Sequence, residues 1–299
     1  MRLAIIYNAE REGTTGAYFA RACQSLGIGV DHWQLRDAAR IPAGYDCYLR
    51  VDHGDDYGVR LPAGLRPAVF YAIDTHLPHS WAKIRRAARW YDALFCCHLA
   101  GARRLPGAEW LPVGCDLEIH GPPSTEEPLA CDVAFIGNDG GIPRKFYLQA
   151  LRERYPRHAI GLAPYTQIGA IYSRARVVFN YSICEDVNMR MFEALAAGSL
   201  LVTNALRGEE LERLGFEDRR HLVVYRRPQE LFGIIDYYLG HESERAAIAA
   251  EGQALVRQRH TYQHRVRQML AHLAQAIGLS LPPGLRETDG ASRMSDVRG

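Results

Sequence analysis

Residues 181–198 read Tyr181-Ser182-Ile183-Cys184-Glu185-Asp186-Val187-Asn188-Met189-Arg190-Met191-Phe192-Glu193-Ala194-Leu195-Ala196-Ala197-Gly198. An apolar run, 175–181, ends here as a strand. A polar loop follows, and a helix begins near Asn188 to Arg190. Small residues then lead to Gly198, which suits the left-handed position that closes a helix. Another apolar run, 200–203, comes directly after. Strand, loop, helix, strand, with strands apolar on both faces, is the unit of a parallel sheet covered by helices.

The same alternation extends in both directions. Toward the C-terminus lie a strand at 221–225 and a helix at 228–239. A last helix at 263–277 carries Val266, Leu270, Leu273 and Ile277 at helical spacing. Toward the N-terminus lie strands at 158–162 and 132–136 and a helix at 144–154, with a glycine-rich turn at 137–143. The stretch 121–128, rich in Pro, Ser and Glu, reads as a linker. Before it, strands fall at 2–7, 29–33, 45–51, 68–73, 93–97 and 109–111, with helices at 16–26 and 81–90. The predicted fold is α/β, two Rossmann-like domains facing across a cleft (the GT-B arrangement). The domains span 1–118 and 119–262, helix 263–278 crosses back to the first, and the polar tail 284–299 is disordered.

Bulk composition excludes several classes. The chain has 299 residues, 47% hydrophobic and 23% charged, as in globular proteins. A net charge of +2 implies no nucleic acid or other polyanion. The Arg85-Arg86 pair beside Trp81 and Trp90 reads as a solvated helix with buried aromatics rather than a base-stacking surface. The first apolar run is too short for a signal segment, and no stretch approaches the ~20 apolar residues of a membrane span. A cytoplasmic protein is expected. The seven cysteines show no zinc-ligand spacing, so they read as reduced, small hydrophobes.

Open parallel sheets bind ligands beyond the carboxyl ends of their strands. That rule selects residues 8–15, 52–56, 74–76, 137–145 and 181–193. In the last, amides at a helix N-terminus suit a diphosphate, and Arg190 stands one turn in. Glu185 and Glu193 flank that point, each able to accept two hydrogen bonds from vicinal hydroxyls. In 137–145, Gly137 lets backbone approach a ligand, and Arg144 or Lys145 can neutralise a leaving diphosphate. Each group has a plainer reading as an exposed or capping residue, and for Glu185 the adjacent Asp186 competes. In the first half, Asp52, His53, Asp74 and His76 lie at strand ends. Asp74 and His76 follow the most apolar strand and are favoured.

The segment 181–198 resembles the Glu-x7-Glu signature of retaining family-4-type glycosyltransferases (glycosyl transferases group 1), with Glu185 and Glu193 at that separation. Asn188-Met189-Arg190-Met191-Phe192-Glu193, Ala196-Ala197-Gly198 and Leu201-Val202-Thr203-Asn204 are similar to the CgeB-like branch. Residues 131–137, 172–180, 111–120 and 259–262 resemble that family's first donor-domain strand, pre-signature strand, interdomain crossover and last-helix start. The likeness spans about residues 90–275 in order and spacing. Many members place glycines after the first glutamate; here Asp186, Val187 and Asn188 stand instead, and Asn188 is expected to take left-handed backbone.

The resemblance implies a hexosyltransferase-like enzyme that moves a sugar from a nucleoside-diphosphate sugar to an unidentified acceptor, a glycan, protein or small molecule. Glu185, Asp74 and His76 are assigned to catalysis. Glu193, Arg190, Asn188, Arg144, Lys145 and Gly137 are assigned to substrate binding. Retention of configuration follows from the resemblance. No metal is expected, because the donor half lacks an Asp-x-Asp motif, and no cofactor beyond the donor. A non-catalytic nucleotide-sugar-binding or maturation protein and a nucleotide-sugar epimerase are the alternatives. A dinucleotide dehydrogenase is disfavoured, since residues 8–13 lack the G-x-G-x-x-G turn.

Overall fold

The computed structural model describes residues 1–9, 13–52, 54, 57–125 and 128–286. The chain divides into two compact units, Met1–Pro112 joined by the chain from Tyr262, and Val113–Thr261. The first division falls before the expected 118/119. Residues 113–118 go with the second unit because Cys115 donates its N–H to His260 O at 3.0 Å and forms a parallel bridge with Thr261. The described part of the expected linker, residues 121–125 and 128, therefore lies inside the second unit.

In the first unit the elements are β1 (Arg2–Ile6), α1 (Thr15–Ser25), β2 (Gly29–Trp33), β3 (Cys47–Val51), β4 (Ala68–Ala72), α2 (Pro78–Ala88), β5 (Ala93–Cys96), α3 (Leu99–Arg104) and β6 (Ala108–Trp110). The strands form one sheet in the order β2-β1-β3-β4-β5-β6, every pair parallel. Leu3 to Ile6 and all of β3 and β4 are buried, as strands covered on both faces must be.

The second unit contains α4 (Leu117–His120), β7 (Cys131–Ile136), α5 (Arg144–Arg154), β8 (His158–Gly161), α6 (Ile168–Ser173), β9 (Ala175–Asn180), α7 (Met189–Ala196), β10 (Leu200–Asn204), α8 (Glu210–Arg213), β11 (Val223–Tyr225), α9 (Glu230–Gly240) and α10 (Glu242–Arg259). Its sheet runs β11-β10-β9-β7-β8, again all parallel. Helix α11 (Tyr262–Ile277) then rejoins the first unit. Tyr262 stacks on Tyr18 of α1, ring centroids 5.2 Å apart, and meets Phe19 edge-on at 5.4 Å. The fold is thus α/β with two Rossmann-like sheets.

Beyond the short helices α3, α4, α6 and α8, which the sequence reading did not place, two parts of the chain depart from expectation. Helix α10, eighteen residues long, has a buried face of Arg245, Ile248, Ala249, Gly252 and Val256, too small and too mixed to show as an apolar stripe. That smallness permits close packing, for a Cβ on Gly252 would lie 2.2 Å from His221 O. A short helix α12 (Pro283–Arg286) with Leu285 buried occupies the start of the stretch expected to be disordered; residues 287–299 lie outside the described residues.

Strand order positions the site. In the second sheet the chain goes from β7 outward to β8, then returns to β9 on the other side of β7. Crossover helices on opposite faces part at that reversal, leaving a crevice beyond the carboxyl ends of β7 and β9. The loops after those two strands are 137–143 and 181–188. In the first sheet the reversal lies between β1 and β3.

Candidate functional site

After β7 the backbone turns through Gly137 at φ +139, Gly140 at +63 and Gly141 at +81, conformations that L side chains rarely adopt. A Cβ on Gly137 would lie 2.5 Å from Arg190 Nη2, so the missing side chain leaves room for that guanidinium. Arg190 donates through Nε to Ile136 O at 3.2 Å and through Nη1 to Asn180 Oδ1 at 3.1 Å. Its guanidinium carbon stands 4.0 Å from the Phe135 ring centroid.

Arg144, at the first turn of α5, shares the same ring at 5.6 Å. It donates to three backbone carbonyls, Asp139 O at 2.9 Å, Asn138 O at 3.0 Å and Tyr181 O at 3.2 Å. Burial first, and then the charge of Arg190, hold its pKa below the usual arginine value. Among the described residues neither guanidinium makes an ion pair. Two cations held at one crevice by neutral acceptors leave positive charge to be compensated by an anion. Lys145 is exposed beside them.

The 181–188 loop is stitched to the chain after β10. Asn204 Oδ1 accepts Ser182 N–H at 2.7 Å, and its amide donates to Ser182 O at 3.1 Å. Glu210, buried, accepts Val187 N–H at 3.0 Å. Asp186 N–H donates to Ser182 Oγ at 3.0 Å. Glu185 forms an ion pair with Arg207 and accepts its N–H through the backbone oxygen at 2.9 Å. Glu185, not Asn188, takes the left-handed backbone, at φ +54. Asn188 is extended (φ −116, ψ 167) as the residue before α7, and its amide donates to Asn180 Oδ1 at 3.3 Å. The expectation for Asn188 backbone is therefore corrected: the turn bends three residues earlier, where the Arg207 pairing fixes it.

Glu193 lies on α7 and is 7% exposed, so it is a desolvated carboxylate rather than a surface one. Its Oε1 is 3.8 Å from His120 Nε2. The structure thus gathers Gly137, Arg144, Asn188 and Arg190 around the ends of β7 and β9, with Glu185 within the following loop and Glu193 within α7. Sequence reading missed Asn180, which holds both Arg190 and Asn188, and Glu210, Arg207 and His120. Asn180 ends an apolar strand, where a buried amide is unusual. The other three lie far along the chain and left no local signal. The 380 Å³ concavity walled by Phe146, Tyr147 and Phe232 on the outside of α5 presents no charged side chain.

In the first unit Asp74 and His76 follow β4. Asp52, only 1% exposed, accepts the N–H groups of Gly54, Ile73 and Asp74 at 3.0, 3.0 and 3.2 Å. It staples the loop carrying Asp74 to the end of β3. His76 Nδ1 is 3.4 Å from Nδ1 of His98, a buried residue beyond β5 that sequence reading missed. Cys97 Sγ and Thr75 Oγ1 each lie 3.3 Å from the same His98 nitrogen. His53, Asp55 and Asp56, and residues 10–12 of the loop after β1, lie outside the described residues.

Several solved structures share this architecture. Anabaena HepE, crystallised in complex with UDP-glucose, superposes with a TM-score of 0.64 over 92% of this chain and 100% of its own, at 15% identity. Sucrose-phosphate synthase from Thermosynechococcus elongatus gives 0.66 over 93% and 100%, at 11% identity. The DNA-modifying β-glucosyltransferase gives 0.61 over 93% and 100%, at 14% identity. At such identities the likeness is one of fold, the GT-B architecture of two Rossmann-like α/β domains. No curated protein matches the sequence. The chain belongs to the glycosyl transferase-like family, whose profile matches residues 98–271, and it is a glycosyltransferase of group 1. Among the described residues no helix is long and apolar enough to cross a membrane.

Proposed function

We propose that the protein is a metal-independent, retaining, CgeB-like glycosyltransferase that takes its sugar from a UDP-sugar bound to the second unit. The observation that carries this is the pair Arg144 and Arg190 at the β7/β9 reversal, held by neutral acceptors and without ion-pair partners among the described residues. A diphosphate supplies the missing negative charge, and the N–H groups opening α7 add to its binding. HepE and the β-glucosyltransferase, which share the fold, were crystallised with UDP-glucose and studied with it, respectively.

In this reading Gly137 lets the phosphates approach the backbone, and Lys145 adds a second-rank cation. Glu193 accepts the ribose hydroxyls. Glu185, fixed by Arg207, faces the transferring sugar, and Asn188 closes on it from the start of α7. As the glycosidic bond breaks, charge grows on the β-phosphate. Arg190 and Arg144 stabilise it in place, doing what a divalent cation does elsewhere. Asp74 and His76 act from the first unit, on the acceptor. The cysteines, present as thiols and mostly buried, agree with a reducing, cytoplasmic setting.

Incubation with UDP-glucose, UDP-galactose and their GDP counterparts, in excess EDTA, tests the proposal through release of the nucleoside diphosphate. Release from at least one UDP-sugar is the expected result. Binding of UDP without any turnover, with or without Mg²⁺ or Mn²⁺, across a panel of acceptors would favour a non-catalytic protein. Turnover only with an added cation would remove the metal-independent part.

A further inference from the structure

Helix α4 has only four residues, yet it delivers a fully buried imidazole to the signature helix. His120 is 0% exposed, and its Nε2 lies 3.8 Å from Glu193 Oε1. The other ring nitrogen, Nδ1, accepts Asp116 N–H at 3.0 Å. A backbone amide can only donate, so Nδ1 carries no proton in this arrangement. The single proton of the neutral ring is then on Nε2, facing the carboxylate. Protonating Nδ1 as well would set two donors against each other.

The turn that holds His120 is itself closely fixed. Asp116 Oδ1 accepts Glu118 N–H at 3.0 Å, and Gly121 N–H donates to Leu117 O at 3.0 Å. On the other side is Gly169 of α6, where a Cβ would lie 2.4 Å from both Ile119 O and Gly121 O. The absent side chain lets the α4 carbonyls rest against α6, and this sets the height of His120 relative to α7.

We infer that His120 is a positioning residue for Glu193: its Nε2–H dipole draws one carboxylate oxygen inward, so that the carboxylate presents a fixed edge to the two hydroxyls of a ribose. At 3.8 Å the contact is an oriented dipole rather than a hydrogen bond. It acts where Glu193 has little water to reorient it. The inference rests on the reading of Glu193 as the ribose-binding group and assigns to the crossover segment a part in donor recognition.

The test compares UDP with 2′,3′-dideoxy-UDP by calorimetry in the wild type, His120→Asn and His120→Gln. Asparagine keeps an acceptor for Asp116 N–H but offers no N–H to Glu193; glutamine places an amide N–H near the Nε2 position. The wild type is expected to prefer UDP by roughly tenfold or more, the worth of a charge-assisted hydrogen bond to a carboxylate. His120→Asn should lose most of that preference while its affinity for dideoxy-UDP holds, and His120→Gln should retain it. A wild-type preference that survives intact in His120→Asn overturns the role of His120 alone. A wild type that does not distinguish the two ligands overturns the reading of Glu193, and this inference with it. ¹⁵N-imidazole spectra of the wild type give a second readout that needs no folded variant. The His120 Nε2–H resonance should shift with UDP and stay in place with dideoxy-UDP. A proton on Nδ1, or equal shifts with both ligands, overturns the assignment.

Discussion

Replacing Arg190 by methionine separates a diphosphate-binding role from a structural one. The side chain makes two hydrogen bonds, at 3.2 Å to Ile136 O and 3.1 Å to Asn180 Oδ1, and stands 4.0 Å from the Phe135 centroid. Methionine keeps contact with the ring and loses the charge. If Arg190 gives one charge-assisted hydrogen bond to the diphosphate, its removal costs about 1.5–3 kcal/mol of binding, or roughly 10- to 150-fold in Kd for UDP. Uridine has no diphosphate and should bind within about twofold of wild type on the same reasoning. Fold stability should change little. Asn180 Oδ1 still accepts from Asn188, and the loss of a partly exposed cation–π contact, about 0.5–1 kcal/mol, is offset by ending the repulsion with Arg144. Calorimetric titration of both ligands, with a melting curve for each protein, is the assay. A UDP affinity that falls by less than about threefold, well short of one charged hydrogen bond, would refute the diphosphate role. An equal loss for uridine would instead point to a collapsed loop.

Three further outcomes are expected. Gly169→Ala should destabilise the protein by about 2–4 kcal/mol, since its Cβ would overlap two backbone carbonyls at 2.4 Å that cannot rotate away; denaturant unfolding with an unchanged midpoint would contradict that packing. His221, buried and accepting Glu217 N–H at 3.0 Å through Nδ1, has its pKa lowered, first by burial and then by Arg220. The unfolded chain therefore takes up the proton first as pH drops below about 6.5, so stability is full above that value and declines below it toward the folded-state pKa. His221→Asn should flatten the fall in melting temperature between pH 7.5 and 5.5, and parallel wild-type and variant curves would show that His221 is not responsible. Finally, UDP-sugar turnover should persist in excess EDTA, measured as nucleotide release; complete loss, restored by Mn²⁺ or Mg²⁺, would return the charge-neutralising task to a cation.

Much of the fold was legible because strands buried on both faces must be apolar throughout, and apolar runs such as Leu3 to Ile6, Val69 to Ala72 and Val133 to Ile136 are visible without knowing their neighbours. The punctuation was equally local. Gly137, Gly140, Gly141 and Gly198 occupy positive φ, and they mark the turn after β7 and the end of α7. Helix α10 escaped because its buried face is made of an arginine, alanine, glycine and two aliphatics, a composition that burial alone turns into a packing surface. The unit boundary was misread for a related reason. Residues 121–128 have linker composition, but the chain leaves the first sheet at Pro112, and only the pairing of Cys115 with His260 and Thr261 shows where the second unit begins.

The candidate site divides in the same way. The sequence by itself determined that carboxylates Glu185 and Glu193 flank a helix start and that a glycine-rich turn precedes Arg144, since both follow from spacing along one strand–loop–helix segment at a time; Arg190, expected one turn in, is the second residue of α7. Only the tertiary structure decided which charges are neutralised and which are not. Arg207 pairs with Glu185 and Asn180 holds Arg190, whereas Arg144 rests on carbonyls from two loops, and His120 reaches Glu193 across more than seventy residues of chain. The physical reason is that strand order, not residue order, sets these distances. By returning from β8 to β9 on the far side of β7, the sheet brings together loops that are remote in sequence, and nothing in either loop records the other.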